Sequence, residues 1–161
     1  MKVLLPVDGS DYTKRILSHI AAHDELLGGG HEYTVFTAVP PVPSHAARFL
    51  DSKTLDDYYR GQAEEVLRPV RRFAGQQGWN VHLAHAPGPA ADAIAVLAEA
   101  EKTDLSVMGT HGHSALGNVI LGSVVSGVLA RCKMPVLLSA ERPVGLARRC
   151  CSTCHRVGSA G

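Results

Sequence analysis

The sequence predicts an α/β fold: one doubly wound domain whose five-stranded parallel sheet, in the order 3-2-1-4-5, carries helices on both faces. Three observations predict it. Strand-like and helix-like segments alternate up to about residue 140. The strand-like segments are continuous apolar runs, as expected for strands covered on both sides. Turns rich in Gly and Pro separate the segments, and right-handed crossovers leave few ways to wind them.

Each element follows from local chemistry. Val3 to Val7 is an apolar run closed by Asp8-Gly9-Ser10, a buried strand entering a turn. Ser10 or Asp11 can cap the next helix, in which Thr13, Ile16, Leu17, Ile20 and Ala21 recur at helical spacing. Gly28-Gly29-Gly30 ends it. Tyr33 to Val39 is rich in β-branched and aromatic residues and forms strand two, which Pro40-Pro41-Val42-Pro43 terminates.

Residues 44–52 read as an irregular excursion. The helix beyond it places Leu55, Tyr59, Val66, Leu67, Val70 and Phe73 on one side, and Pro69 inside it predicts a kink or break. Val81 to Ala86 is strand three, and Pro87-Gly88-Pro89 turns the chain. Ala90 to Ala100 is a helix with Ile94 and Leu97 inward, and Leu105 to Met108 is strand four. Ser123 to Arg131 is the last helix and Pro135 to Ser139 strand five. A single domain over 1–140 is expected, followed by a flexible Cys- and Arg-bearing tail over 141–161.

Composition narrows the function classes. The 161 residues carry 16 Lys plus Arg against 15 Asp plus Glu, a net charge of +1, so no basic excess exists to neutralise a run of phosphates and no nucleic-acid partner is expected. Val3 to Val7 is too short for a signal-peptide core, and no apolar stretch approaches membrane-spanning length. A cytoplasmic protein with no membrane partner is expected. Cys132 stands apart from Cys150, Cys151 and Cys154, a spacing that offers no disulfide framework.

The chemistry concentrates in Met108-Gly109-Thr110-His111-Gly112-His113-Ser114-Ala115-Leu116-Gly117-Asn118-Val119-Ile120-Leu121-Gly122-Ser123-Val124. This stretch leaves the carboxyl end of a strand and returns into a helix, the edge where open α/β sheets bind ligands. Gly109 and Gly112 allow close backbone approach, and their N–H groups can form an anion-binding concavity. Gly122 and Ser123 open a helix whose unpaired N–H groups and positive dipole end favour an anion. A tight turn that merely packs helix on strand needs the same glycines, so spacing alone leaves both readings open.

These residues resemble the ATP-binding motif of the universal stress proteins. Gly109, Gly112, Gly122 and Ser123 match its G-x2-G-x9-G-[ST] pattern, with Met108 before it and Val124 after it. Pro6-Val7-Asp8-Gly9-Ser10 is similar to the family's opening segment, Pro87-Gly88-Pro89-Ala90 to its Gly-x-Pro-Ala turn, and Cys132 to Leu138 to its closing strand. The resemblance covers Met1 to about Ala140 and implies an adenine-nucleotide alpha-hydrolase-like fold that binds ATP, with Mg or Mn where the triphosphate carries one. It implies that Asp8, with Pro6 beside it, lies at the adenosine end, and that Ala38 or Val39 meets the base through backbone. The family's His-Val pair there reads Thr37-Ala38. It implies that Met108 lines base or ribose, and that Gly109, Gly112, Gly122, Ser123 and Val124 hold ribose and phosphates. Where the family often has Arg, this chain has His113, charged only at mildly acid pH. A homodimer through strand five and a role in stress signalling are also implied.

Simpler roles stand beside these. Asp8 also suits an Asx-turn or helix cap, Met108 a core position, and His111 and His113 solvated loop positions. An enzyme reading rests on Thr110-His111-Gly112-His113, a T-x-G-H form found in nucleotidylyltransferases, though there it follows the first strand and here the fourth. No G-x4-G-K-[ST] loop occurs, and no carboxylate pair stands beside the loop to hold magnesium and orient water, so at most slow ATP hydrolysis is expected. A third reading is a non-catalytic protein–protein module. In the tail, Cys151 to His155 spells C-x-x-C-H, a haem-attachment pattern, but without an export signal no haem is expected. Cys151, Cys154 and His155 are candidate zinc ligands, set against a tail of reducible thiols.

Overall fold

A computed structural model describes residues 1–27, 30–110 and 121–139. The strands are β1 (Lys2–Pro6), β2 (Glu32–Val39), β3 (Asn80–Pro87), β4 (Leu105–Gly109) and β5 (Val136–Ser139). The helices are α1 (Asp11–Ala22), α2 (Asp24–Leu27), α3 (Ser44–Ala47), α4 (Ser52–Gln77), α5 (Ala90–Glu101) and α6 (Ser123–Arg131). All strand pairs are parallel and run β3-β2-β1-β4-β5, the predicted order. β1 is central: Val3 pairs with Tyr33 on one side and Leu105 on the other.

Two apolar layers sandwich the sheet because successive strand side chains point to opposite faces. Val3, Leu5, Val35 and Val107 pack against Ile16, Leu17 and Ile20 of α1 and Ala63, Leu67 and Val70 of α4. Leu4, Phe36 and Met108 face the other way, onto Ile94 and Ala98 of α5 and Val125 and Val128 of α6. Tyr33 stacks on Trp79, and its hydroxyl donates to the Leu27 carbonyl, closing the first layer's lower corner.

The sequence reading differs from the structure in three places. α4 runs as one helix through Pro69, so the break that was one of the expected outcomes does not occur. Pro69 is exposed, so water can satisfy the carbonyl it leaves unpaired, while Ala63, Leu67, Val70 and Ala74 anchor the helix on both sides of it. Residues 44–47 form a one-turn helix within the expected excursion, and Asp51 caps α4 by accepting the Thr54 N–H at 2.7 Å. The first helix ends at Ala22, ahead of the glycines, and α2 follows as a separate turn.

Candidate functional site

Winding direction reverses between β1 and β4, so the crevice at their carboxyl ends is where this fold exposes backbone to a ligand. Pro6 closes β1 half-buried, and Asp8 follows exposed in the turn. Its Oδ1 accepts three hydrogen bonds, from Ser10 N at 3.0 Å, Ser10 Oγ at 2.6 Å and Thr13 Oγ1 at 3.1 Å. Thr13 Oγ1 in turn accepts from the Asp8 amide at 3.3 Å. The carboxylate is therefore held against the start of α1. Gly9 adopts φ +77 to make this turn, a left-handed conformation that side chains disfavour.

Ser10 occupies the N-cap of α1 without a side-chain cap bond, because its hydroxyl serves Asp8 instead. The sequence reading missed that network. Thr13 looked like one more inward residue of the helix, and the available signal was the spacing Asp8-x-Ser10-x-x-Thr13, two hydroxyls one helical turn apart facing one carboxylate.

At the end of β2, Ala38 is half-buried and Val39 buried, and the Val39 carbonyl accepts the Gly88 N–H at 3.0 Å. Met108 is buried in the α5/α6 layer. Gly109 ends β4 opposite Ser139. Thr110 then clasps the loop at both ends: its N–H donates to Ser139 O at 3.1 Å, and its carbonyl accepts from Gly122 N at 2.9 Å. Gly112 and His113 lie outside the described residues, as do Cys151, Cys154 and His155. Among the described residues no group of three or more His, Cys, Asp or Glu side chains can hold a metal ion.

The Thr110–Gly122 bond changes which amides α6 can offer. Gly122 is the N-cap, and its own N–H is taken. The first helical bond runs from Ser126 N to Gly122 O at 3.0 Å, which leaves the N–H groups of Ser123, Val124 and Val125 without intrahelical partners. Ser123 and Val124 are exposed. α6 also differs from the other long helices. Asp11 lies in the first turn of α1, Asp51 caps α4 and Asp92 lies in the first turn of α5, whereas α6 opens with no acidic residue and no side-chain cap. Asp11 is itself satisfied by Lys14 at 2.8 Å, whose ammonium holds its carboxyl below the usual range.

Known proteins share this fold. The model of the universal stress protein family matches residues 1–139. The chain belongs to the universal stress protein family. A family member from Thermus aquaticus is 35% identical over 84% of this chain and 96% of its own length. One from Methanocaldococcus jannaschii is 30% identical over 85% of this chain and 80% of its own. Among solved structures, a universal stress protein in complex with cAMP is 26% identical, with a TM-score of 0.58 over 86% of this chain and 94% of that one. A family protein from Arabidopsis thaliana with AMP bound superposes at a TM-score of 0.64, with 13% identity, over 89% of this chain and 93% of that one. No helix among the described residues is long and apolar enough to cross a membrane.

Proposed function

We propose that this universal stress protein binds ATP or a related adenine nucleotide at the carboxyl rim between β1 and β4 and serves as a stress-signalling module whose occupancy is its output. One observation carries the reading: α6 alone among the long helices opens toward that rim with neither carboxylate nor cap, which offers the exposed Ser123 and Val124 amides and the Ser123 hydroxyl to an anion. The family relatives that hold cAMP and AMP support an adenine nucleotide. In this reading Asp8, beside Pro6, meets the nucleoside, and Ala38, Val39 and Met108 flank the base. Gly109, Gly112, His113, Gly122, Ser123 and Val124 gather the ribose and phosphates, and a triphosphate brings its own Mg or Mn.

The stretch 109–124 contains no Lys, Arg, Asp or Glu, so neither a fixed cation nor a carboxylate base stands in the loop to drive phosphoryl transfer. Holding suits this site better than turnover. β5 is an edge strand with Leu137 exposed, which supports a homodimer formed by pairing that edge with a second copy. A cytoplasmic location fits the low net charge and the composition.

Nucleotide released by denaturing freshly purified protein and identified by mass tests the reading, followed by titration with ATP, AMP and cAMP. An adenine nucleotide recovered intact, with affinity lost on replacing Gly112 and Gly122 by bulky residues, is the expected result. Unchanged affinity in a folded double variant overturns it.

A further inference from the structure

α1 ends on two histidines one turn apart. His19 and His23 are both exposed, with ring centroids 4.2 Å apart and planes inclined by 39°. His23 Nδ1 lies 2.8 Å from the His19 carbonyl oxygen. A carbonyl only accepts, so Nδ1 carries the proton in this bond, and Nε2 presents its lone pair to solvent. A ring N–H fixed on a backbone carbonyl is how metal-binding histidines are oriented. The C-terminal end of a helix carries the negative end of its dipole, which favours a cation there.

We propose that His19 and His23 form a two-imidazole chelate for a borderline divalent transition-metal ion. A tetrahedral ion bound at about 2.1 Å holds two nitrogens about 3.4 Å apart, within reach of rings this close after a small side-chain rotation. Imidazole pairs suit copper, nickel and zinc, with copper the tightest, and exclude magnesium and calcium, which need oxygen donors. No third His, Cys, Asp or Glu joins the pair among the described residues, so water completes the shell. Charged neighbours along the chain are Arg15, one turn before His19 and drawn over the Tyr12 ring at 5.7 Å, and Asp24 and exposed Glu25, which follow His23. An imidazolium cannot ligate, so protons compete with the metal for both rings. α1 runs away from the carboxyl rim, so this chelate lies at the opposite end of the domain from the proposed nucleotide site and does not rest on that reading.

Full-length protein with Cys150, Cys151 and Cys154 replaced by Ser removes the competing thiols. Its calorimetric titration with Cu2+, Ni2+ and Zn2+ in a non-coordinating buffer, at pH 7.5 and pH 5.5, tests the proposal. One site per chain is expected at pH 7.5, weakened by about tenfold or more by either His19→Ala or His23→Ala because each breaks the chelate. His45→Ala, at an exposed histidine elsewhere, leaves affinity unchanged. Both tested positions are exposed, so circular dichroism is expected to show intact folds. Affinity that survives both substitutions, or that falls equally with His45→Ala, overturns the proposal.

Discussion

The two ends of the sheet treat their polar groups in opposite ways. At the amino end a cleft of about 530 Å³, lined among others by Lys2, Thr34, His82 and Glu101, is laced by its own side chains. Lys2 N–H donates to Asp104 Oδ2 at 2.7 Å, Lys2 Nζ to Glu101 O at 3.2 Å, and Thr34 Oγ1 to Glu101 Oε2 at 2.7 Å. His82 Nδ1 lies 4.0 Å from Glu101 Oε1. At the carboxyl end, Gly122 caps α6 with no side chain, and the exposed Ser123 and Val124 amides have no partner within the helix. Concavity alone does not mark a site. The end with the cleft spends its polar groups on one another, whereas the end that withholds its caps has donors to give.

The strongest way to break this contrast is to make the carboxyl end satisfy itself. Gly122 sits at φ −56 and ψ 152, a conformation open to any residue, so Gly122→Asp installs a side-chain cap without backbone strain. The new carboxylate occupies the amides and repels phosphate. Nucleotide affinity is expected to fall by about thirtyfold or more, the loss of at least one charge-assisted hydrogen bond of about 2 kcal/mol, while helix stability rises by a few tenths of a kcal/mol. Titration calorimetry and urea denaturation read the two opposite signs together. Equal affinity in the variant removes α6 from the site.

How much of this was legible in the sequence depended on what kind of signal each feature leaves. The strands and their parallel arrangement followed from β-branched runs, turn residues and alternation with helices, which are local and periodic. Ser123 was placed at the start of its helix because Gly122-Ser123 breaks and then begins a pattern. Hidden were contacts between distant residues: Thr110 with Ser139, Gly122 with Thr110, and Gly88 with Val39. Those bonds depend on backbone position and leave no mark on residue type. They also decide which α6 amides remain available, since the Gly122 N–H is bonded to the Thr110 carbonyl. Pro69 misled for the reverse reason, since a strong local rule was outweighed by packing on either side.

The seat of α6 gives the next test. A Cβ built on Gly127 lies 2.6 Å from the Ala91 Cβ of α5, an atom fixed to backbone that cannot swing away. Arg131 Nε meets Asp92 Oδ1 at 2.6 Å across the same pair of helices. Gly127→Ala gains about 1 kcal/mol of helix propensity, but overpacking costs about 1–3 kcal/mol, so a net loss of up to about 2 kcal/mol is expected. Affinity falls with it because the amides of Ser123 and Val124 move with the helix. Stability measured in urea that rises on this substitution shows that α5 and α6 separate freely, and that close contact does not set the height of the anion site.

The smallest effect sharpens the comparison from the other end. Thr34 sits on β2 opposite Leu4 and His82, and its hydroxyl bond to Glu101 is one of the ties across the amino-end cleft. Thr34→Val keeps shape and strand propensity while deleting that donor. Glu101 is partly exposed and can turn to water, so the expected loss is about 0.5–1 kcal/mol. Nucleotide affinity should not change, because this tie lies at the far end of the strands from Asp8 and Ser123. A change in affinity without a change in stability would mean the two ends are coupled through β1 and β2. The satisfied end would then be tuning the open one, instead of merely closing the sheet.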